Sequence, residues 1–197
     1  MGEAQRLFID ALRRALQMKP QRFSVDWLIN KPLREHFRER YDAAMAVFDA
    51  LGGDRDGLDA KRIVKLVPDA YLPQPYNCLV EFDEVQHFTR FKQKALELYP
   101  LDFAYGFDVA QWLACCRRSW TEAEAKGASG YRARKPEFPF EGGRHAQRAF
   151  FDMFRDFLPP LWGLRPTVRV SELEFRAGFA SPDQLKKLIE SRLQKKE

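Results

Sequence analysis

The chain has 197 residues, a net charge of +5 and a sequence pI near 9.1, with 31% of its residues charged. This length allows one buried core, so we expect a single folded domain, and the basic balance permits a polyanionic partner. Three cysteines without a Cys-x-x-Cys pair argue against a disulfide framework and favour a reducing, cytoplasmic setting. The sequence contains no run of about eighteen apolar residues, the length needed to span a membrane.

Residues 1–60 form a helical part in this interpretation. Apolar side chains recur every three or four positions over residues 3–17, which predicts an amphipathic helix. A second helix is predicted to begin near Pro32 and to end at Gly52-Gly53. Both helices are expected to be scaffold.

Residues 61–100 contain the candidate site. The side chains of residues 62–67 alternate as in a strand, which predicts a first strand leading into Asp69. Residues 78–83 predict a second strand. The alternation in the second strand puts Glu81 and Asp83 on one face. Acids side by side on a strand need either solvent or a cation.

A turn rich in proline and asparagine at residues 73–77 would make the two strands neighbours. Eleven residues separate Asp69 from Glu81, a spacing that brings Asp69, Glu81 and Asp83 close enough to share a metal ion. The sequence therefore predicts a carboxylate cluster at the end of a hairpin.

Pro68-Asp69, Glu81-x-Asp83 and Gln86-His87 together resemble the metal-binding core of the PD-(D/E)XK nuclease superfamily, nearest to its very-short-patch-repair-like branch. The resemblance implies an α/β fold with a restriction-endonuclease-like core, in which helices flank a small central mixed β-sheet. Helices are added at both ends, and residues 1–197 form one nuclease-like domain.

The same resemblance implies Mg²⁺, or Mn²⁺, held by Asp69, Glu81 and Asp83. Where the superfamily pattern has a lysine two residues after the second acid, this chain has Asp83, and Lys92 or Lys94 from the next helix can supply the cation. The expected catalytic residues are Asp69, Glu81, Asp83, Gln86, His87 and Lys94.

His87 and Gln86 each allow two interpretations. An imidazole titrates near neutral pH, so His87 can exchange a proton with water or a leaving oxygen. The alternative is a non-catalytic hydrogen-bonding histidine. Gln86 either binds a metal through its amide oxygen or positions a water, or it caps the end of the strand. The following helix is predicted over residues 90–99, with Thr89 as its N-cap.

Residues 101–180 combine helices, a basic loop and a late strand. A long helix is predicted over residues 108–125, and residues 127–142 are short of helix formers and mix basic with aromatic side chains. Such a loop can hold phosphates and stack on bases, or its aromatic residues can simply dock on the core. The side chains concerned are Arg132, Arg134 and Lys135, with Tyr131, Phe138 and Phe140.

A helix is predicted after Gly142-Gly143 and is expected to stop at Pro159-Pro160. Its first turn would offer free N–H groups together with Arg144 and Arg148, a reasonable phosphate site. Residues 167–170 predict a late strand of the sheet. Residues 181–197 predict a C-terminal helix that packs on the core or mediates a homodimer.

Three functions follow. The first is a metal-dependent endonuclease that hydrolyses the DNA backbone, with RNA as the alternative substrate. The second is a catalytically inactive nuclease-like module that binds nucleic acid or a partner protein. The third is a structural protein in which the acids form salt bridges with Lys65, Arg90 and Lys92.

Overall fold

A computed structural model describes residues 2–126, 133–178 and 181–194. The strands are β1 (Ala70–Leu72), β2 (Cys78–Asp83) and β3 (Arg165–Ser171). The helices are α1 (Glu3–Leu16), α2 (Arg34–Phe37), α3 (Tyr41–Ala50), α4 (Arg55–Asp59), α5 (Arg90–Leu96), α6 (Val109–Lys126), α7 (Gly143–Leu161), α8 (Glu172–Gly178) and α9 (Pro182–Gln194). Two 3₁₀ turns cover Arg38–Arg40 and Val85–His87.

The three strands form one mixed sheet in the order β1-β2-β3. Strand β1 runs antiparallel to β2, with Ala70 opposite Val80, and the turn at residues 73–77 joins them. Strand β3 runs parallel to β2 and places Arg169 opposite Glu81. The predicted α/β class, with a small mixed sheet flanked by helices, is confirmed.

Strand β2 is buried on both faces. Cys78, Val80 and Phe82 pack into an apolar cluster with α1 and α9, whereas Leu79 packs into a second cluster with α3, α5, α6 and α7. The predicted alternation of β2 is therefore confirmed, and Glu81 and Asp83 face the larger helical layer. The C-terminal helix packs against α1.

The predicted strand at residues 62–67 is wrong. Its backbone pairs only with a short irregular segment, since the N–H groups of Asn30 and Leu66 donate to Val64 and Leu28 at 2.9 and 2.8 Å. Without a place in the sheet, these residues form only an isolated bridge at Lys65. The sheet begins instead at β1, directly after Asp69.

Two helix ends also differ from expectation. Helix α5 begins as predicted, because Thr89 accepts a hydrogen bond from the Lys92 N–H at 3.2 Å, but it ends at Leu96. Helix α7 continues through Pro159 and Pro160 to Leu161. A proline at position 159 cannot donate to the Arg155 carbonyl, and the Thr167 hydroxyl on β3 donates to that carbonyl instead.

None of the helices in the described residues has the length and apolar character needed to cross a bilayer.

Candidate functional site

The β1–β2 hairpin brings Asp69 and Glu81 together. The Asp69 N–H donates to Glu81 Oε1 at 3.2 Å, and the Phe82 N–H donates to Asp69 Oδ2 at 2.7 Å. These bonds continue the antiparallel register beyond Ala70. The proximity of these two carboxylates is as the spacing in the sequence predicts.

Both acids of this pair hold their protons more tightly than usual. Burial raises the pKa of Glu81 to about 8, although the Arg155 guanidinium, with Nε 3.3 Å from Oε1, favours the ionised form. Burial also raises the pKa of Asp69. A carboxyl pair in this state gains from a nearby cation, because the cation offsets the cost of ionising both groups.

Asp83 lies in a different setting, because its carboxylate is already fully engaged. Nη1 of Arg169 lies 3.0 and 3.1 Å from its two oxygens, and the indole N–H of Trp112 donates to Oδ2 at 2.8 Å. Burial alone would raise the pKa of Asp83, but the charge of Arg169 and a hydrogen bond from His87 hold it well below its usual range. Asp83 is thus an ionised carboxylate with protein partners on both oxygens.

Arg169 links Asp83 to a wider buried network. Its Nε donates to Asp156 Oδ1 at 2.7 Å, and its Nη2 donates to the backbone carbonyl of Asp152 at 3.1 Å. Lys92 Nζ reaches Asp152 Oδ2 at 2.9 Å, and the Tyr99 hydroxyl donates to Asp156 at 2.7 Å. This network fills the space between the sheet and α7 with paired charges.

This network was not among the features predicted from the sequence, although β3 carries a signal for it. Thr167, Arg169 and Ser171 alternate with valines, which puts these polar residues on one face. The parallel register aligns that face with the face of Glu81 and Asp83. A buried arginine on the strand beside an acidic strand would therefore have been a reasonable prediction.

His87 is held by Asp83. Its Nδ1 lies 3.1 Å from Asp83 Oδ1 at the end of the Val85–His87 turn, and the turn is fixed by a bond of 2.9 Å from the Val85 N–H to Glu172. An ionised carboxylate only accepts hydrogen bonds, so Nδ1 carries the proton. In the neutral ring, Nε2 is then the nitrogen that can accept another proton.

A polar cleft of about 400 Å³ opens beside these groups. Its polar lining consists of Gln5, Asp69, Glu84, Gln86, His87 and Arg148. We call it the Asp69 cleft. It gathers three of the predicted catalytic residues together with one of the predicted phosphate-binding arginines.

Two amides lie at the wall of the Asp69 cleft. The Gln5 side chain, from the first turn of α1, donates to Asp69 Oδ1 at 2.5 Å. The Gln86 side chain donates to Glu84 Oε2 at 2.6 Å. Gln86 therefore faces the cleft while its amide N–H is bonded to a neighbouring acid, and Gln5 is a contact that the sequence did not suggest.

The two lysines of α5 have different surroundings. Lys92 is buried against Asp152, whereas Lys94 is exposed. The helix therefore directs Lys92, and not the expected Lys94, toward the acidic network.

The three cations expected to pair with the predicted acids in a purely structural protein pair with other carboxylates. Lys65 pairs with Asp26 at 2.7 Å, and Arg90 pairs with Glu124 at 3.2 Å. Lys92 pairs with Asp152. The expected partners are therefore wrong, because Glu81 and Asp83 form their salt bridges with Arg155 and Arg169 instead.

Part of the predicted basic loop can be placed. Arg132 and Tyr131 lie outside the described residues. Arg134 is exposed, and Lys135 forms a backbone bridge with Phe138, which is fully buried in the core. For Phe138, docking on the core is therefore the interpretation that holds.

The start of α7 differs from the predicted phosphate site. The N–H groups of Gly143, Arg144 and His145 already donate to backbone carbonyls at 2.8–3.0 Å, because the preceding segment folds back over the helix. The expectation of free N–H groups there is wrong. The side chains remain relevant: Arg148 lines the Asp69 cleft, and Arg144 contacts Gln147.

The expected three-carboxylate metal site does not suit this geometry, since each Asp83 oxygen already has two protein partners, whereas each Asp69 oxygen has one. Within residues 2–126, 133–178 and 181–194, no group of three or more His, Cys, Asp and Glu side chains is arranged to hold a metal ion. Asp69 and Glu81 remain as a pair, and Mg²⁺ commonly uses only one or two carboxylates together with waters and substrate phosphates.

Comparisons with models of protein families, with curated proteins and with solved structures gave no significant match to this chain.

Proposed function

We propose that this chain is a nuclease-like phosphodiester hydrolase acting on nucleic acid, with DNA as the first substrate to test. The observation that carries the proposal is the convergence of Asp69, His87 and Arg148 on one polar cleft, with Glu81 directly behind Asp69. A carboxyl pair can hold a metal ion, an imidazole held by an acid can accept a proton, and an arginine can bind phosphate, which together suit phosphodiester hydrolysis.

The proposal includes a restriction-endonuclease-like core. Support comes from the mixed order β1-β2-β3, with Asp69 at the start of the edge strand and Glu81 in the central strand. The other support is the resemblance of Pro68-Asp69, Glu81-x-Asp83 and Gln86-His87 to the superfamily motif.

In this proposal Asp69 and Glu81 hold Mg²⁺ or Mn²⁺. When bound, such an ion would polarise the phosphate and offset its negative charge. Burial raises the pKa of both acids, and a bound cation would offset this cost of ionising them, which supports the assignment.

The remaining groups act on the phosphate and on the attacking water. Arg148 binds a phosphate oxygen in the cleft, since a guanidinium is the preferred partner for phosphate. His87 accepts the proton of the attacking water at Nε2, while Asp83 holds Nδ1–H and stabilises the resulting imidazolium. Gln86 lies beside His87 at the cleft wall and orients the water.

The second candidate is a module that binds nucleic acid without cutting it. It is favoured by a specific observation: Glu81 and Asp83 each already contact an arginine, Arg155 and Arg169. The positive charges of these two arginines can stabilise the buried carboxylates in place of a metal ion.

The decisive experiment is cleavage of plasmid and single-stranded DNA with Mg²⁺ or Mn²⁺, by wild type, Asp69→Asn and Glu81→Gln. Circular dichroism checks that each variant is folded. Asp42→Asn is the matched control, because its carboxylate is exposed and far along the chain from the site. We expect wild type and the control to cut, and both site variants to lose about a hundredfold or more in rate.

Cutting that persists in both site variants, or in chelator, would remove the metal-carboxylate mechanism. If wild type cuts nothing with either metal but binds DNA, and Arg148→Ala abolishes that binding, the second candidate is correct. If neither cutting nor binding occurs, both candidates fail.

A further inference from the structure

A second and larger cavity lies next to the Asp69 cleft. It has a volume of about 560 Å³, and its walls include Arg90, Phe91, Glu124, Glu141 and His145. We call it the Arg90 pocket. None of the roles proposed above uses it.

The two cavities adjoin along two elements. Arg148 and His145 are three residues apart on α7, which puts them on the same face with about 5–6 Å between their Cβ atoms. His87 and Arg90 are likewise three residues apart in the chain. The charges of both Arg148 and Arg90 act on the His145 imidazole, so both arginines lie near it. The Asp69 cleft and the Arg90 pocket are thus lined by residues that are near neighbours on α7 and in the segment after β2.

The walls of the Arg90 pocket are flat and aromatic on one side. The Phe91 ring lies parallel to the His145 ring, with centroids 6.3 Å apart and an angle of 9°, and nearly parallel to Phe140 at 5.9 Å and 20°. Burial, together with the charges of Arg148 and Arg90, lowers the pKa of His145 to about 4. At neutral pH this imidazole is therefore an uncharged aromatic surface.

The opposite side of the pocket is charged. The Arg90 side chain is 63% exposed and pairs with Glu124 at 3.2 Å, and Glu141 also lies at the wall. The exposed guanidinium can bind a phosphate. The two carboxylates repel phosphate but can accept hydrogen bonds from the N–H groups of a base.

We propose that the Arg90 pocket binds the nucleotide next to the phosphate held in the Asp69 cleft, with its base against Phe91 and its phosphate on Arg90. This inference rests on the proposed function. A base inside a duplex is stacked on both sides and cannot enter such a cavity without leaving the stack. The substrate class is therefore single-stranded or locally unpaired nucleic acid.

The test measures binding and not cleavage. A fluorescent single-stranded oligonucleotide is titrated with protein in chelator, and fluorescence anisotropy gives the affinity at several salt concentrations. The variants are Phe91→Leu, which keeps an apolar side chain, and Arg90→Ala. Arg117→Ala is the control, because the Arg117 side chain is also 63% exposed and also pairs with a glutamate, Glu97, at 3.9 Å.

We expect both pocket variants to weaken binding about tenfold and the control to bind like wild type. The salt dependence separates the two roles: Arg90→Ala should lower the slope of log K against log salt by about 0.7, the value for one phosphate on a single strand, and Phe91→Leu should leave it unchanged. A duplex of the same sequence and a free mononucleotide should each bind more weakly than the single strand.

Three results would overturn the inference. The first is wild-type affinity in both pocket variants while Arg148→Ala loses binding, which would leave the proposed function standing. The second is a duplex or a free mononucleotide that binds as tightly as the single strand, which would also leave it standing. The third is a wild-type protein that binds no nucleic acid, which would remove the inference and the proposed function together.

Discussion

Arg169 on β3 and Asp83 on β2 form an ion pair in the interior, with one guanidinium nitrogen 3.0 and 3.1 Å from the two carboxylate oxygens. The Arg169 side chain has no exposed surface. Buried charges are tolerated only when they are paired and hydrogen-bonded, so this contact constrains how the two parallel strands pack. It also keeps Asp83 ionised beside His87.

Replacing Arg169 with methionine should destabilise the protein by about 3–5 kcal/mol, because it leaves buried carboxylates without their cation. Urea denaturation monitored by circular dichroism measures the free energy of unfolding. The control is Arg34→Met, since Arg34 pairs with Asp42 on the surface at 3.5 Å and should contribute less than about 1 kcal/mol. An Arg169→Met protein as stable as the control would contradict the role given to this network.

The two lysines of α5 allow the same substitution in two environments. Lys92→Met removes the partner of the buried Asp152 and should cost about 3–5 kcal/mol. Lys94 lies two residues further along α5 and is exposed, so Lys94→Met should change the free energy of unfolding by less than about 0.5 kcal/mol. Thermal melts of the two variants check this difference. Equal losses would mean that Lys92 is not held by its ion pair.

Local signals in the sequence were sufficient to predict the β1–β2 hairpin and part of the candidate site. The turn residues at positions 73–77 and the alternation of β2 predicted that Asp69 and Glu81 would meet, and they do. Thr89 predicted the start of α5 because its hydroxyl can accept a bond from the helix backbone. These features depend on neighbours within about a dozen residues.

The remaining features depend on contacts between distant residues. Asp83 meets Arg169 across 86 positions, and Lys92 meets Asp152 across 60. Charged residues are mostly exposed, so a sequence pattern gives little reason to bury Lys92. Residues 62–67 have strand-like composition but no sheet neighbour, and composition alone cannot show the absence of a neighbour.

The pKa of Glu81 predicts how stability depends on pH. Burial raises it from 4.5 to about 8, so the folded state binds this proton more tightly than the unfolded state. The resulting stabilisation is complete below about pH 4.5 and is lost as the pH rises through about 8. Relative to Glu81→Gln, wild type should lose free energy of unfolding between these pH values. A difference that stays constant across urea denaturations in this range would contradict the raised pKa.

Divalent ions should act on the same group. Because a metal binds the ionised carboxylates, Mn²⁺ should raise the melting temperature of wild type more at pH 8 than at pH 6. Asp69→Asn and Glu81→Gln should both lose this effect, and Asp42→Asn should keep it. A shift of the same size in the site variants would show that Mn²⁺ binds elsewhere.

The last prediction concerns Gln5 in the first turn of α1, whose side-chain amide donates a hydrogen bond to Asp69 Oδ1. Removing it in Gln5→Ala should cost about 1–2 kcal/mol of stability, as expected for a partly buried hydrogen bond to a carboxylate. Gln93→Ala is the control, since Gln93 makes a similar bond to Glu97 at 2.9 Å on an exposed helix face, worth about 0.5 kcal/mol or less. Urea denaturation compares the two variants. The substitution also releases one oxygen of Asp69, so Mn²⁺ should stabilise Gln5→Ala more than it stabilises wild type. If Mn²⁺ stabilises Gln5→Ala less than wild type, Gln5 helps to form the metal site and does not cover it.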